Sequence, residues 1–431
     1  MVILLIAFSS LKISAQVGSP YSQFGIGDIN HSSFGASKAM GGIGIGLQTN
    51  KHINTLNPAS LVSLDSLTVI YELGISGMMN KIESNIDNIT KNGTSINYIA
   101  LAFRLNKYVS TSFGVLPASK VDYTFLSSYS IDYVGAVNNY FYGSGGLNRI
   151  YWANSISIVK NLSVGIEASY LFGSINNIKT IIFDNISYDN FKVDEQKSIG
   201  GFKFKYGVQY KYDIKNDYDL ILGATFENRV KINATIDTLA GTIDYAKSQS
   251  SSIDPTSSTY YKNFYTDEMQ PNSLYSSSTN DKITLPSTIG FGLTINKKDK
   301  LTAGLDFKIQ NWGSINENEY NKSFQNNISI RSGLEFIPDN NNVNHFYKRI
   351  NYRIGGHYSK THLEINSTQI NDYGMSFGLG LPMRNSKTSF NISFEMGQRG
   401  TLNENLLRET YGIVSLNLSL SDIWFIKRKY K

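Results

Sequence analysis

Five histidines, His31, His52, His345, His357 and His362, are the side chains best suited to proton transfer in this sequence. None stands in an HExxH run, no two form a close pair, and no GxSxG offers an activated serine. His357, in INYRIGGHYS, shares a polar face with Arg353. That pairing would permit esterase or protease chemistry in principle, but a histidine held in a hydrogen-bond network is the ordinary case. The GGIGIG run at Gly41 to Gly46 superficially resembles a phosphate cradle. No strand precedes it and no Lys-Ser/Thr follows it, so packing of a compact segment is expected there instead. The chain contains no cysteine, which removes disulfides, thiol catalysis and Cys-ligated metals together. No enzyme activity, cofactor or metal site is expected.

The charges that remain fall on one face of alternating stretches. In KLTAGLDFKIQNW, Leu301, Ala303, Leu305, Phe307 and Ile309 oppose Asp306, Lys308 and Gln310. In GGFKFKYGVQYKYD, Phe202, Phe204, Tyr206, Val208, Tyr210 and Tyr212 oppose Lys203, Lys205, Gln209 and Lys211. This is the period of a strand, whose successive side chains leave on opposite sides. Such runs number about fourteen, from 65–76 to 410–421, and most are about ten to fourteen residues long. Strands of globular proteins average about five or six residues, whereas a tilted strand crossing a bilayer needs roughly nine to eleven.

The connections alternate too. Tight junctions at Lys107, Lys160-Asn161, Ile214 to Asp217, Lys297-Lys298 and Arg384 to Ser386 contrast with insertions at 77–94, 117–146, 174–199, 229–283, 312–326, 359–370 and 398–409. Short turns on one rim and long loops on the other characterise bacterial outer-membrane barrels. The expected fold is all-β: a 14-stranded antiparallel transmembrane β-barrel over residues 65–425, its apolar face toward lipid. Lys203, Lys205, Asp306, Lys308, Arg353 and His357 are then expected to face the lumen, where charges of both signs pair beneath a plug.

At the start, MVILLIAFSSLKISAQ resembles a secretory signal peptide of residues 1–15, cleaved after Ala15. No later stretch is long and apolar enough for a transmembrane helix. Residues 16–64 are Gly-rich and do not alternate, and they are expected to fill a lumen too wide for side chains alone. Within them, Asn57 before Pro58 favours a turn, and its amide is placed to tie the segment to the wall. Pro117, with Gly114, interrupts the third strand in YVSTSFGVLPASKVDYTF. Proline cannot donate to a ladder, so either a bulge or kink over Gly114 to Ser119 or the end of the strand at Leu116 is expected. A formal charge of +6 from 40 basic and 34 acidic residues, with a basic run only in the terminal KRKYK at 427–431, argues against a nucleic-acid partner. Residues 426–431 read as a solvated periplasmic tail.

Four stretches carry a family resemblance: GASKAMGGIGIG followed by LNPASL, SGGLNRIYWANS, LPSTIGFGLTINKKDKLTAGLDFKIQNWG, and ENLLRETYGIVSLNLSLSDIWF. In their order the chain resembles the long-chain fatty acid transporter (FadL/TodX) family over essentially its whole mature length. The resemblance implies a monomeric fourteen-stranded barrel in the outer membrane, with an N-terminal hatch whose Asn-Pro-Ala motif falls on Asn57, Pro58 and Ala59. It also implies a kink in the third strand that makes a side door, here at Gly114 and Pro117, and passive uptake of hydrophobic small molecules such as long-chain fatty acids. The chain ends in WFIKRKYK rather than a terminal aromatic, which leaves Phe425 as the assembly signal. An alternative of another class is a secretion-system-associated barrel that docks protein cargo at the cell surface, a role that Tyr-rich loops would suit.

Overall fold

The computed structural model describes residues 18–31, 33–185, 187–215, 217–243, 272–298, 300–315, 324–342, 344–383 and 386–423. The signal sequence, most of the 229–283 insertion, Phe425 and the basic tail lie outside the described residues.

Fourteen antiparallel strands close on themselves. They are β1 (Thr68–Glu83), β2 (Asn88–Arg104), β3 (Val109–Pro117, resuming at Ser119–Ile131), β4 (Gly135–Val159), β5 (Leu162–Phe183), β6 (Asn190–Ile214), β7 (Tyr218–Glu227, resuming at Val230–Ile243), β8 (Asn272–Leu285, resuming at Thr288–Lys297), β9 (Leu301–Gln310), β10 (Asn327–Phe336), β11 (Asn351–Ile365), β12 (Thr368–Pro382), β13 (Ser389–Gly400) and β14 (Arg408–Ile423). Pairing of β14 with β1, from Arg408 opposite Glu83 to Ile423 opposite Thr68, completes the cylinder. Closure leaves no sheet edge at the seam, which is what makes a β structure tenable in hydrocarbon.

The alternation faces the way a membrane barrel requires. On β6 the rings of Phe202, Phe204, Tyr206, Tyr210 and Tyr212 are exposed on the outside, while Lys205 and Gln209 between them are buried inside. On β9 Leu305 is exposed and Asp306 buried. A soluble core would show the reverse.

The strands are longer than the sequence suggests: β4 and β6 run for 25 residues each. Most of the insertions read as loops at 77–94, 117–146 and 174–199 are continued hairpin arms, joined by short turns. Along these arms polar runs such as NITKNGTS interrupt the alternation, so the hydrophobic period fades while the hydrogen-bonded ladder continues.

Inside the barrel lies the chain from residue 18 to the start of β1. It contains the short strand Asp28–Ile29, the helical turn Gly35–Lys38 and the 3₁₀ turns Pro20–Gln23 and Pro58–Ser63. Room for it comes from glycines on the inner wall. A Cβ on Gly207 would stand 2.1 Å from Asn57 Oδ1, one on Gly355 2.1 Å from the Gly41 nitrogen, and one on Gly223 2.0 Å from the Ile45 carbonyl oxygen.

Candidate functional site: the internal segment, a polar chamber and a gap in the wall

The internal segment is bonded to strands around the barrel. The GGIGIG run does wrap an anion, but the anion belongs to the protein: Gly44 and Ile45 donate their N–H groups to Asp306 Oδ2 at 2.6 and 2.9 Å. Consecutive N–H groups turned toward one point form such a cradle, and a buried carboxylate needs donors of this kind. The sequence contained both halves of this contact without the 262-residue separation across which they meet.

Asn57 likewise holds in two directions. Its Nδ2 donates to Ile45 O at 2.8 Å within the segment and to Val208 O at 3.2 Å on β6, while its Oδ1 accepts from Ala59 N at 3.0 Å. Pro58 opens the 3₁₀ turn that follows, and Pro58 and Ala59 are both buried against Gly165 of β5. Further ties run from Gln209 Nε2 to Ile45 O, 2.8 Å, from Lys205 Nζ to Thr55 O, 3.1 Å, and from Ile53 N to Glu72 Oε1, 3.1 Å. Phe34 stacks on Tyr98 at 3.6 Å between centroids, and Tyr98 Oη accepts from Gly35 N and Asn417 Nδ2.

The other lumen residues named from the sequence also point inward, and most are paired. Lys203 and Lys205 meet Glu227 at 2.7 and 3.6 Å, and Lys205 also lies 3.6 Å from Glu167. Arg353 binds Glu335 at 2.6 Å and donates to Asn391 at 2.7 Å. Lys308 shares with Arg331 and Asp306 the lining of a small cavity of about 130 Å³. His357 Nε2 lies 3.2 Å from Tyr411 Oη, which donates to Asp372 at 2.8 Å. His31, on the internal segment, contacts Gly42 O at 3.0 Å. Burial, with Arg331 and Lys308 nearby, holds its imidazole well below the usual range, so it stays neutral.

At Pro117 the wall changes. The first half of β3 pairs with β2 on one side and β4 on the other, and the pairing with β2 stops at Ile99 opposite Val115. After Ala118 the strand resumes and keeps its pairing with β4, from Val121 opposite Gly145 to Ile131 opposite Gly135. It has no pairing with β2. Among the described residues, no strand lies against that edge of β2 from Asn88 to Tyr98. The missing N–H of Pro117 explains why the ladder breaks here. Ala118 N instead donates to Leu147 O at 2.7 Å. On the far side of the break, Asp28–Ile29 pairs with Ser119 and Lys120, and Ser19 N donates to Asp122 O at 2.7 Å, so the internal segment borders the gap. Gly114 sits just before it, packed on Tyr151.

A chamber of about 730 Å³ lies behind the gap. Pro117, Ser119, Asn97 and Ser95 line its mouth, and Arg331, His357, Asp372, Glu395 and Arg399 line its depth. A second cavity of about 330 Å³ opens at the short-turn rim between the internal segment and Lys211, Lys298 and Glu335. Toward the long-loop rim, an apolar cluster that includes Tyr21, Phe24, Leu171, Trp312, Leu363 and Leu406 fills the interior. The chamber was not legible in the sequence, because its walls come from ten strands and the internal segment.

The closed fourteen-stranded antiparallel barrel is a fold that this chain shares with solved FadL-type channel structures. The Pseudomonas putida toluene transporter TodX matches with a TM-score of 0.59 at 13% identity, over 93% of this chain and 100% of that one. A Pseudomonas aeruginosa FadL homologue gives 0.58 at 10% identity, over 91% and 98%. The CymD monoaromatic hydrocarbon channel gives 0.57 at 11%, over 93% and 99%. At these identities the likeness is one of fold. The chain itself belongs to the BamG family, whose model matches residues 1–431. No curated protein matches the sequence significantly.

Proposed function

We propose that this protein is an outer-membrane barrel that moves hydrophobic or amphipathic small molecules, long-chain fatty acids among them, between the membrane and its lumen by diffusion. The internal segment acts as a hatch, with Asn57, Pro58 and Ala59 as its anchor to the wall. The break after Pro117 acts as the side opening. One observation carries the reading: the unpaired edge of β2 from Asn88 to Tyr98, with a chamber directly behind it. The fold shared with hydrocarbon channels supports the same direction of thought. No energy source is implied, since diffusion down a gradient and burial of apolar chain, worth about 0.8 kcal/mol per CH₂, suffice to drive partition. The barrel works as a monomer in this reading.

The absence of cysteine makes a clean test available. In Asn97→Cys, the introduced thiol is the only one in the chain and stands at the mouth of the chamber. Uptake of labelled oleate by cells bearing this variant should match wild type before treatment and fall severalfold after reaction with a bulky maleimide. Uptake unchanged by the adduct, with labelling confirmed by mass, refutes a route through the gap.

A further inference from the structure

The opening in the wall leads to a chamber whose lining mixes apolar residues, Ile29, Met78, Leu147, Phe172 and Ile413 among them, with a set of charges that favours an amphipathic guest. Arg399 is taken up by Asp28 at 2.8 Å, and Asp372 by Tyr411 and His357. That leaves Lys38, Lys120 and Arg331 facing the chamber with Glu395 and Glu409. Arg331 uses Nη1 on Gly41 O at 2.9 Å, and its buried Nε has no partner. Among the described residues Glu395 lies 3.9 Å from His357 Nδ1, with Lys38 and Arg331 as further cations facing it but neither in an ion pair with it, and Glu409 accepts from Ser19 at 2.6 Å. Arg331 and Glu395 thus share a chamber without joining in an ion pair.

A pure hydrocarbon in such a space would strip water from these charges and return no hydrogen bond. A molecule carrying both a cation and an anion would repay that cost on both sides. Outside the gap the wall is more apolar: Met79 on β1 and Ile96 on β2, which also borders the chamber, are exposed on the barrel's outer surface on the β2 side of the opening. The mouth between them and the chamber is polar, with Ser76 Oγ donating to Asn97 Oδ1 at 3.0 Å. The unpaired N–H and C=O groups of β2 also lie along it, and such groups are untenable against hydrocarbon.

We infer that the gap and chamber together form a binding site for the head group of a zwitterionic membrane lipid. Its phosphate meets Arg331 and Lys120, its ammonium meets Glu395, and its acyl chains remain outside along Met79 and Ile96. A chamber of about 730 Å³ is within the range that holds small ligands. The inference rests on the lateral opening proposed above and names the class of molecule that enters it.

The test is native mass spectrometry of the full-length protein after incubation with equal amounts of palmitoyl-oleoyl phosphatidylethanolamine, palmitoyl-oleoyl phosphatidylglycerol and oleate. One phosphatidylethanolamine should be retained per chain, at least tenfold over the other two. Glu395→Lys should reverse the preference toward phosphatidylglycerol, and Lys120→Gln should lower retention of both phospholipids severalfold while the barrel stays heat-modifiable. The maleimide adduct at Asn97→Cys should block loading. No preference among the three ligands in wild type, or a Glu395→Lys protein with unaltered selectivity, overturns the inference. If oleate uptake is adduct-sensitive but phosphatidylethanolamine is not selected, the inference falls and the transport reading stands. If phosphatidylethanolamine is selected through Glu395 and oleate uptake ignores the adduct, the reverse holds.

Discussion

Replacing Asp306 by alanine should release the internal segment from the wall while leaving the wall intact. In the native protein one carboxylate oxygen accepts from Gly44 N at 2.6 Å and Ile45 N at 2.9 Å, and Asp306 is only 4% exposed. A hydrogen bond to a charged acceptor contributes about 1.5–3 kcal/mol, so two are worth about 3–6 kcal/mol. Part of this is offset, because the alanine protein no longer buries a carboxylate. A net loss of about 3 kcal/mol corresponds to roughly a hundredfold shift toward the undocked segment. Hydrogen exchange followed by mass spectrometry reads this directly: peptides covering residues 41–57 should lose protection by about that factor, while β10 to β12 peptides keep theirs. Asp306→Asn should fall between, since its carbonyl oxygen still accepts without the charge. If residues 41–57 exchange in Asp306→Ala as in wild type, the cradle does not hold the segment and the reasoning fails.

Three other outcomes follow from the same geometry. Gly355→Val would place a side chain where a Cβ alone already comes within 2.1 Å of Gly41 N and 2.2 Å of Met40 C; the segment should fail to seat, seen as new tryptic cleavage at Lys38 in a barrel that remains heat-modifiable. Tyr98→Phe removes the oxygen that accepts from Gly35 N at 2.8 Å and Asn417 Nδ2 at 2.6 Å; the lost acceptor should cost about 1–3 kcal/mol and speed exchange at residues 34–40. Pro117→Val restores an N–H and a strand-forming residue at the break, so oleate uptake should fall, and uptake equal to wild type would show that the proline does not maintain the opening.

Much of this architecture is legible in the residues. Lys203 and Lys205 between Phe202, Phe204 and Tyr206 fix which side of β6 is wet, and the same arithmetic at Asp306 and Leu305 orients β9. Pro117 marks the wall's interruption because the chemistry that breaks a ladder is local. Strand length was hidden for the opposite reason: beyond the apolar band, sequences such as NITKNGTS on β2 have no amphipathic signal, and only pairing with β1 shows them to be strand. Gly207, Gly223 and Gly355 looked like gaps in an alternation and are the places where the inner chain touches the wall. What they touch depends on contacts between residues hundreds of positions apart, which no local pattern encodes.

Those glycines also set the character of the contact between the internal segment and the wall. Where side chains interdigitate, one surface can slide over another and exchange one set of contacts for a similar set. At these glycines the inner chain comes against bare backbone, and directional bonds at Asp306, Asn57, Gln209 and Glu72 add to the apolar packing of Phe34, Ile53 and Leu61 elsewhere on the wall. Hydrogen bonds weaken steeply with distance and angle, so a shift of an ångström or two loses all of them at once. Release of the segment is therefore expected to be steep, because the directional bonds that fix it are lost together.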